Sequence, residues 1–152
     1  MTVTFLADSM LGKLAKWLRV MGYDTHYQSF YNEGVIEQLM HEGRRLLSRH
    51  RATIEQYPNS ILILSDHVKE QLDEIRTWGG LKCGRSHWFS RCLICNVNLE
   101  EADAVKAREN VPEHVFYESF ADNIRFCPSC CRYYWPGSHR KMMIRQLGEW
   151  GF

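Results

Sequence analysis

No run of apolar residues in this chain approaches the roughly 20 positions that a helix needs to cross a bilayer, which argues against a membrane-spanning role. Charge of one sign is also missing. With 19 Lys and Arg against 18 Asp and Glu, the formal net charge is +1, and that balance alone gives no pull toward a nucleic acid or a membrane surface. There is no internal repeat and no low-complexity segment, so neither a repeat array nor a disordered tether is supported. The opening stretch from Met1 to Asp8 lacks the basic patch and long apolar core of a secretory leader. The expected compartment is therefore a reducing cytoplasm, where six cysteines suggest metal rather than disulfides. What is present is 152 residues, 45% hydrophobic and 24% charged, enough for one compact domain with a small appendage and a real core.

Apolar periodicity gives the organisation. Thr2 to Ala7 reads as a buried strand, and Leu11, Leu14, Ala15 and Leu18 form a helical stripe that Ser9 can cap and Gly22 can end. Thr25 to Tyr27 suggests a second strand, Val35, Ile36, Leu39 and Met40 a helix ending at Gly43, and Arg45 to Ser48 a third strand. After a Pro58-Asn59 turn, Ile61 to Leu64 gives a fourth strand, and Val68, Leu72 and Ile75 a further helix. Alternating strands and helices imply an α/β layer with a mostly parallel sheet over residues 1–80, followed by a different, cysteine-bearing segment over residues 81–152. In open parallel sheets ligands sit beyond the carboxyl ends of the strands. The polar residues found there are Asp8, His50 and Asp66.

Cys92-Leu-Ile-Cys95 and Cys127-Pro-Ser-Cys130 are two knuckles, each able to offer a pair of thiolates to one tetrahedral ion. Zinc is the favoured occupant, and disulfides or buried free thiols are the alternatives. A closed set of four sulfurs leaves no open position for a reacting water, so the role expected is structural. The 31 residues between the knuckles need structure of their own, expected as a helix near Glu100 to Glu109 and a strand near His114 to Tyr117. Cys83 and Cys131 are left over.

Several ordered motifs carry a family resemblance. They are Phe5-Leu-Ala-Asp-Ser-Met-Leu-Gly-Lys-Leu-Ala-Lys-Trp-Leu-Arg19, Met21-Gly-Tyr-Asp-Thr25, Glu42-Gly-Arg-Arg-Leu-Leu-Ser-Arg49, Glu70-Gln-Leu72, Ser90-Arg-Cys-Leu-Ile-Cys-Asn96 and Cys127-Pro-Ser-Cys-Cys-Arg-Tyr-Tyr-Trp-Pro-Gly-Ser-His139. Across nearly its whole length the chain resembles the PIN-like ribonuclease domain found at the C-terminus of a mutator exonuclease and, in bacteria, as a free-standing protein. The resemblance implies a PIN-like α/β/α sandwich followed by a small zinc ribbon, and a ribonuclease activity dependent on Mg²⁺ or Mn²⁺. Such ions are held by hard oxygen ligands; they activate water and neutralise charge on the phosphate.

Asp8 matches the first acid that the resemblance implies, whereas Asn32 and His50 stand where two further acids are implied. That substitution predicts weaker ion binding. Glu33, Glu37 and Asp66 are nearby acids that could compensate. Taken alone, Asp8 would read as a helix-capping anion and His50 as a solvent-facing loop residue. Lys13 and Arg19 could grip phosphates or equally lie on a solvated helix face, and Arg49 is the better candidate because it follows a strand end where substrate should pass. Tyr133, Tyr134 and Trp135 could stack on bases or pack the ribbon, and His139 could face the cleft or hold the terminal turn. Three functions follow: a metal-dependent ribonuclease acting on single-stranded RNA, a degenerate RNA-binding module, or a zinc-ribbon adaptor for a protein partner. The sequence leaves the oligomeric state open.

Overall fold

The computed structural model describes residues 2–82 and 84–152, so Cys83 lies outside the described residues. The chain divides into two compact units, Met1–Asn96 and Val97–Phe152. The division falls beyond the expected boundary at residue 80, and the first cysteine knuckle belongs with the α/β unit. The cause is a set of hydrogen bonds. Arg19 donates to the carbonyls of Leu93 and Ile94 at 2.9 and 3.2 Å, the Asn96 side chain accepts from the Thr25 amide at 2.9 Å, and Arg91 donates to the Gly22 carbonyl at 3.1 Å.

The first unit is α/β. Strands β1 (Phe5–Ala7), β2 (Thr25–Tyr27), β3 (Arg45–Ser48) and β4 (Ile61–Leu62) form a wholly parallel sheet in the order β2-β1-β3-β4. Helices α1 (Gly12–Val20), α2 (Val35–His41), α3 (Arg51–Gln56) and α4 (Val68–Trp78) provide the connections. Phe5, Leu6, Ala7, Leu46 and Leu47 are sealed from solvent because central parallel strands are covered on both faces. The stripes expected from sequence face this core: Leu14, Ala15 and Leu18 from α1, Leu72 and Ile75 from α4.

Two local expectations change. Ser9 does not cap α1, which has no side-chain cap. Asp8 takes that part of the chain instead, its carbonyl accepting from the Leu11 amide at 3.0 Å and its Oδ1 from the Met10 amide at 2.9 Å. Helix α3 has no counterpart in the sequence reading, because it buries no residue and so carries no apolar stripe to detect.

The second unit holds an antiparallel sheet, β5 (Glu100–Glu101), β6 (Arg125–Phe126) and β7 (Tyr133–Tyr134), with helices α5 (Ala104–Asn110), α6 (Glu113–Asn123) and α7 (Ser138–Glu149). The helix expected at Glu100 is a strand there and becomes helical only after Asp103, whose side chain accepts from the Lys106 amide at 3.0 Å. The strand expected near His114 to Tyr117 lies inside α6. Val111, at the end of α5, and Val115, in α6, pack with Ala107 and Ile124 into one small core. Tyr133 and Trp135 pack against that core as well. No helix among the described residues is long and apolar enough to cross a membrane.

Candidate active site and metal centre

In the order β2-β1-β3-β4 the direction of winding reverses between β1 and β3, and the crevice at the carboxyl ends of those strands is where open α/β sheets receive ligands. Asp8 follows β1 and Ser48 ends β3. The two are tied together: the Asp8 amide donates to the Leu47 carbonyl at 3.1 Å, and the Ser48 hydroxyl donates to Asp8 Oδ2. Ser48 Oγ also accepts the His50 amide at 3.0 Å, so the turn leaving β3 is fixed to the acid that ends β1. Ser48 is fully buried.

Tyr31 joins this corner. Its hydroxyl donates to the Ala7 carbonyl at 2.7 Å and accepts the Gln28 amide at 3.0 Å. Burial raises its phenol to about 12, and the negative charge of Asp8 adds to the shift, so Tyr31 acts as a neutral hydrogen-bonding group. Sequence reasoning passed over both Ser48 and Tyr31. Ser48 had a signal, lying two residues before the strand-end residue His50 already in view, but Tyr31 had none.

The other candidates are placed as follows. His50 is exposed at the start of α3, its ring 3.3 Å from the Thr53 hydroxyl. Asn32 is exposed in the loop before α2, where its carbonyl accepts from the Val35 amide at 3.2 Å. Asp66 is exposed and lies 3.4 Å from His67. Lys13 and Asp66 share a hollow of about 310 Å³ with Ser9, Met10, Gly12 and Tyr27. Arg49 is exposed in the turn after β3. His139 is exposed in the first turn of α7, in the second unit.

Arg19 requires a correction. It is 7% exposed and donates to the carbonyls of Thr25, Leu93 and Ile94, so it serves as an internal tie and not as a phosphate grip. A larger hollow of about 490 Å³, lined by His41, Arg45, Tyr57 and Asn59 among others, opens at the start of β3, the far end of that strand from Ser48.

Cys92, Cys95, Cys127 and Cys130 present sulfur atoms that all lie within 4.8 Å of one another, and four such donors can hold a metal ion such as zinc. Both knuckles have the same backbone. The Cys95 amide approaches the Cys92 sulfur at 3.3 Å and the Cys130 amide approaches the Cys127 sulfur at 3.4 Å. The next residue in each, Asn96 or Cys131, turns left-handed with φ of 66° or 62°, and its amide returns to the first cysteine's carbonyl at 2.9 Å. Cys131 thus occupies the turn-closing position, is exposed, and stands outside the sulfur group.

No second group of three or more His, Cys, Asp or Glu side chains converges among the described residues. Asp8 offers a single carboxylate, already engaged by Met10 and Ser48, so this donor set does not fit the acid cluster that a protein-held Mg²⁺ or Mn²⁺ centre requires.

The sequence profile of the Mut7-C RNAse domain matches residues 3–147. The chain belongs to the Mut7-C RNAse domain family. Membership of the Mut7-C family points to a nuclease-type function with RNA as the substrate. Comparison with curated proteins and with solved structures returned no match.

Proposed function

We propose that this Mut7-C domain is a ribonuclease that hydrolyses the phosphodiester backbone of RNA, with Asp8 as its central acid. The reading is carried by the position of Asp8, at the switch point of a parallel sheet, in a chain whose family match runs almost from end to end. Arg49 and Lys13, exposed close to that end of the sheet, are the cations we assign to the phosphates. Ser48 holds the Asp8 carboxylate and the His50 turn in one arrangement. The resemblance implies a divalent ion, which when bound would activate water and neutralise phosphate charge. No converging group of three or more acids surrounds Asp8 among the described residues.

The lack of a converging acid cluster among the described residues favours one alternative, an RNA-binding member of the family that does not cleave. One experiment separates the two. Zinc-loaded wild type, Asp8→Asn and Ser48→Ala are incubated with labelled single-stranded RNA in EDTA, Mg²⁺ and Mn²⁺, and cleavage and binding are measured in the same samples. The ribonuclease reading expects cleavage in at least one of these conditions that falls at least about tenfold in Asp8→Asn, with Ser48→Ala intermediate. Binding without product in every condition selects the alternative, and loss of neither function in Asp8→Asn removes Asp8 from the site.

A further inference from the structure

Large apolar side chains stand exposed beyond three of the four strand ends at the Asp8 edge: Met10 after β1, Phe30 after β2 and Leu64 after β4, with exposures of 69%, 73% and 64%. Parallel pairing puts these ends on one edge of the sheet, since Ala7 is in register with both Tyr27 and Leu47, and Ser48 with Leu62. Scattered exposed leucines are ordinary on protein surfaces, but a fixed, exposed phenylalanine at a ligand-receiving edge is not explained by folding.

Phe30 is held in that position. Its neighbour Tyr31 turns inward, packs on His26 with ring centroids 5.9 Å apart, and is anchored to the Ala7 carbonyl and the Gln28 amide. The loop from Gln28 to Tyr31 is therefore closed on itself, and Phe30 projects from it. The Met10 backbone is held by its amide to Asp8 Oδ1, and Met10 borders the hollow that contains Lys13. Around this edge Lys13, Arg49 and Arg51 are exposed, and none is joined to a carboxylate among the described residues. The acids there are Asp8, engaged by Ser48, Asp66, close to His67, Glu74, which accepts from the Leu64 and Ser65 amides, Glu70, which accepts from the Ser65 hydroxyl, and the exposed Glu33. Exposed apolar faces beside cations that no carboxylate engages are what a single strand of nucleic acid requires, because its unpaired bases stack and its phosphates need positive charge.

We propose that Phe30 is a base-stacking platform, with Met10 beside it, and that the substrate of this site is single-stranded RNA, a paired helix having no base face to offer. This inference rests on the ribonuclease-family reading above and gives it a substrate class.

The test uses the full zinc-loaded chain. Anisotropy measures binding of a labelled uridine 12-mer, the same strand made into a blunt duplex, and the same strand with abasic sites, at low salt. Wild type is expected to bind the single strand best. Phe30→Ala should weaken that binding about five- to a hundredfold, the range of one lost base stack, while Phe30→Trp keeps it. The abasic strand should bind wild type and Phe30→Ala alike. Because Phe30 is exposed, thermal melting of the variants should match wild type. Equal binding of the single strand by wild type and Phe30→Ala overturns the platform, as does tighter binding of the duplex. A change in self-association in Phe30→Ala with RNA binding intact would show a protein contact instead and also overturn it. If wild type binds no RNA at all, the ribonuclease reading fails with it, whereas RNA cleavage indifferent to Phe30 sinks only the platform.

Discussion

Asp24 shows how a single residue is tuned by its neighbours. Burial alone would raise its carboxyl, but hydrogen bonds from Arg44 at 2.8 Å and Asn96 at 2.7 Å, with the charges of Arg44 and Arg91, outweigh it and hold the group below the ordinary range. A carboxyl with a depressed folded pKa adds stability that is fully present above the unfolded value, about 3.9, and is lost as pH falls through the folded value. Urea midpoints of wild type and Asp24→Asn should therefore differ by a constant amount near neutrality and converge as pH drops below about 4. A gap that stays constant down to pH 3 would show that the charged form of Asp24 contributes nothing. Arg19 teaches the complementary lesson. On a helix with a stripe ending at Leu18, an arginine can lie at the edge of the buried face or out in solvent, and sequence spacing does not choose. The choice was made by carbonyls of Leu93 and Ile94, more than 70 residues away in the chain.

At the scale of elements, α1 was legible from end to end except at its start. Its stripe and its glycine stop follow from periodicity and from the left-handed turn that ends a helix. Gly22 has φ of 91°, and the Tyr23 amide returns to the Leu18 carbonyl at 2.9 Å. A second constraint on Gly22 comes from elsewhere, because a Cβ there would sit 2.4 Å from the His87 carbonyl oxygen. Gly22→Ala should lower stability by about 2 kcal/mol or more, since the left-handed strain and the backbone collision act together; a loss well under 1 kcal/mol in chemical denaturation would refute this. Elements that bury a recognisable stripe were readable, as in α4. Helix α2 was readable from its apolar spacing although it buries no residue fully, whereas α3 had no apolar stripe and was invisible, and the short run at Val115 and Phe116 offered no period long enough to separate strand from helix.

At the scale of the whole molecule, four cysteine sulfurs that can hold a metal ion come from both cysteine knuckles. Stripping zinc with a strong chelator should lower the thermal midpoint by more than about 10 °C, as should Cys92→Ser and Cys127→Ser, each with zinc content falling to near zero by mass spectrometry. The first knuckle is tied to β2 through Asn96 and to α1 through Arg19, so the loss should also register as faster hydrogen exchange at the Thr25 amide. Unchanged melting after verified metal removal would mean that the cysteines fold without an ion. The knuckles, the α/β alternation and the strand-end position of Asp8 were determined by the sequence itself, because each depends on local spacing: two residues between cysteines, 3.6 residues per helical turn, one polar residue after an apolar run. Only the tertiary structure decided that Ser48 and Tyr31 share the corner with Asp8, that Arg19 is internal, that the first knuckle belongs with the α/β unit, and that Phe30 is held outward. Those outcomes are hydrogen bonds between segments distant in sequence, and no local period encodes which carbonyl a given side chain will reach.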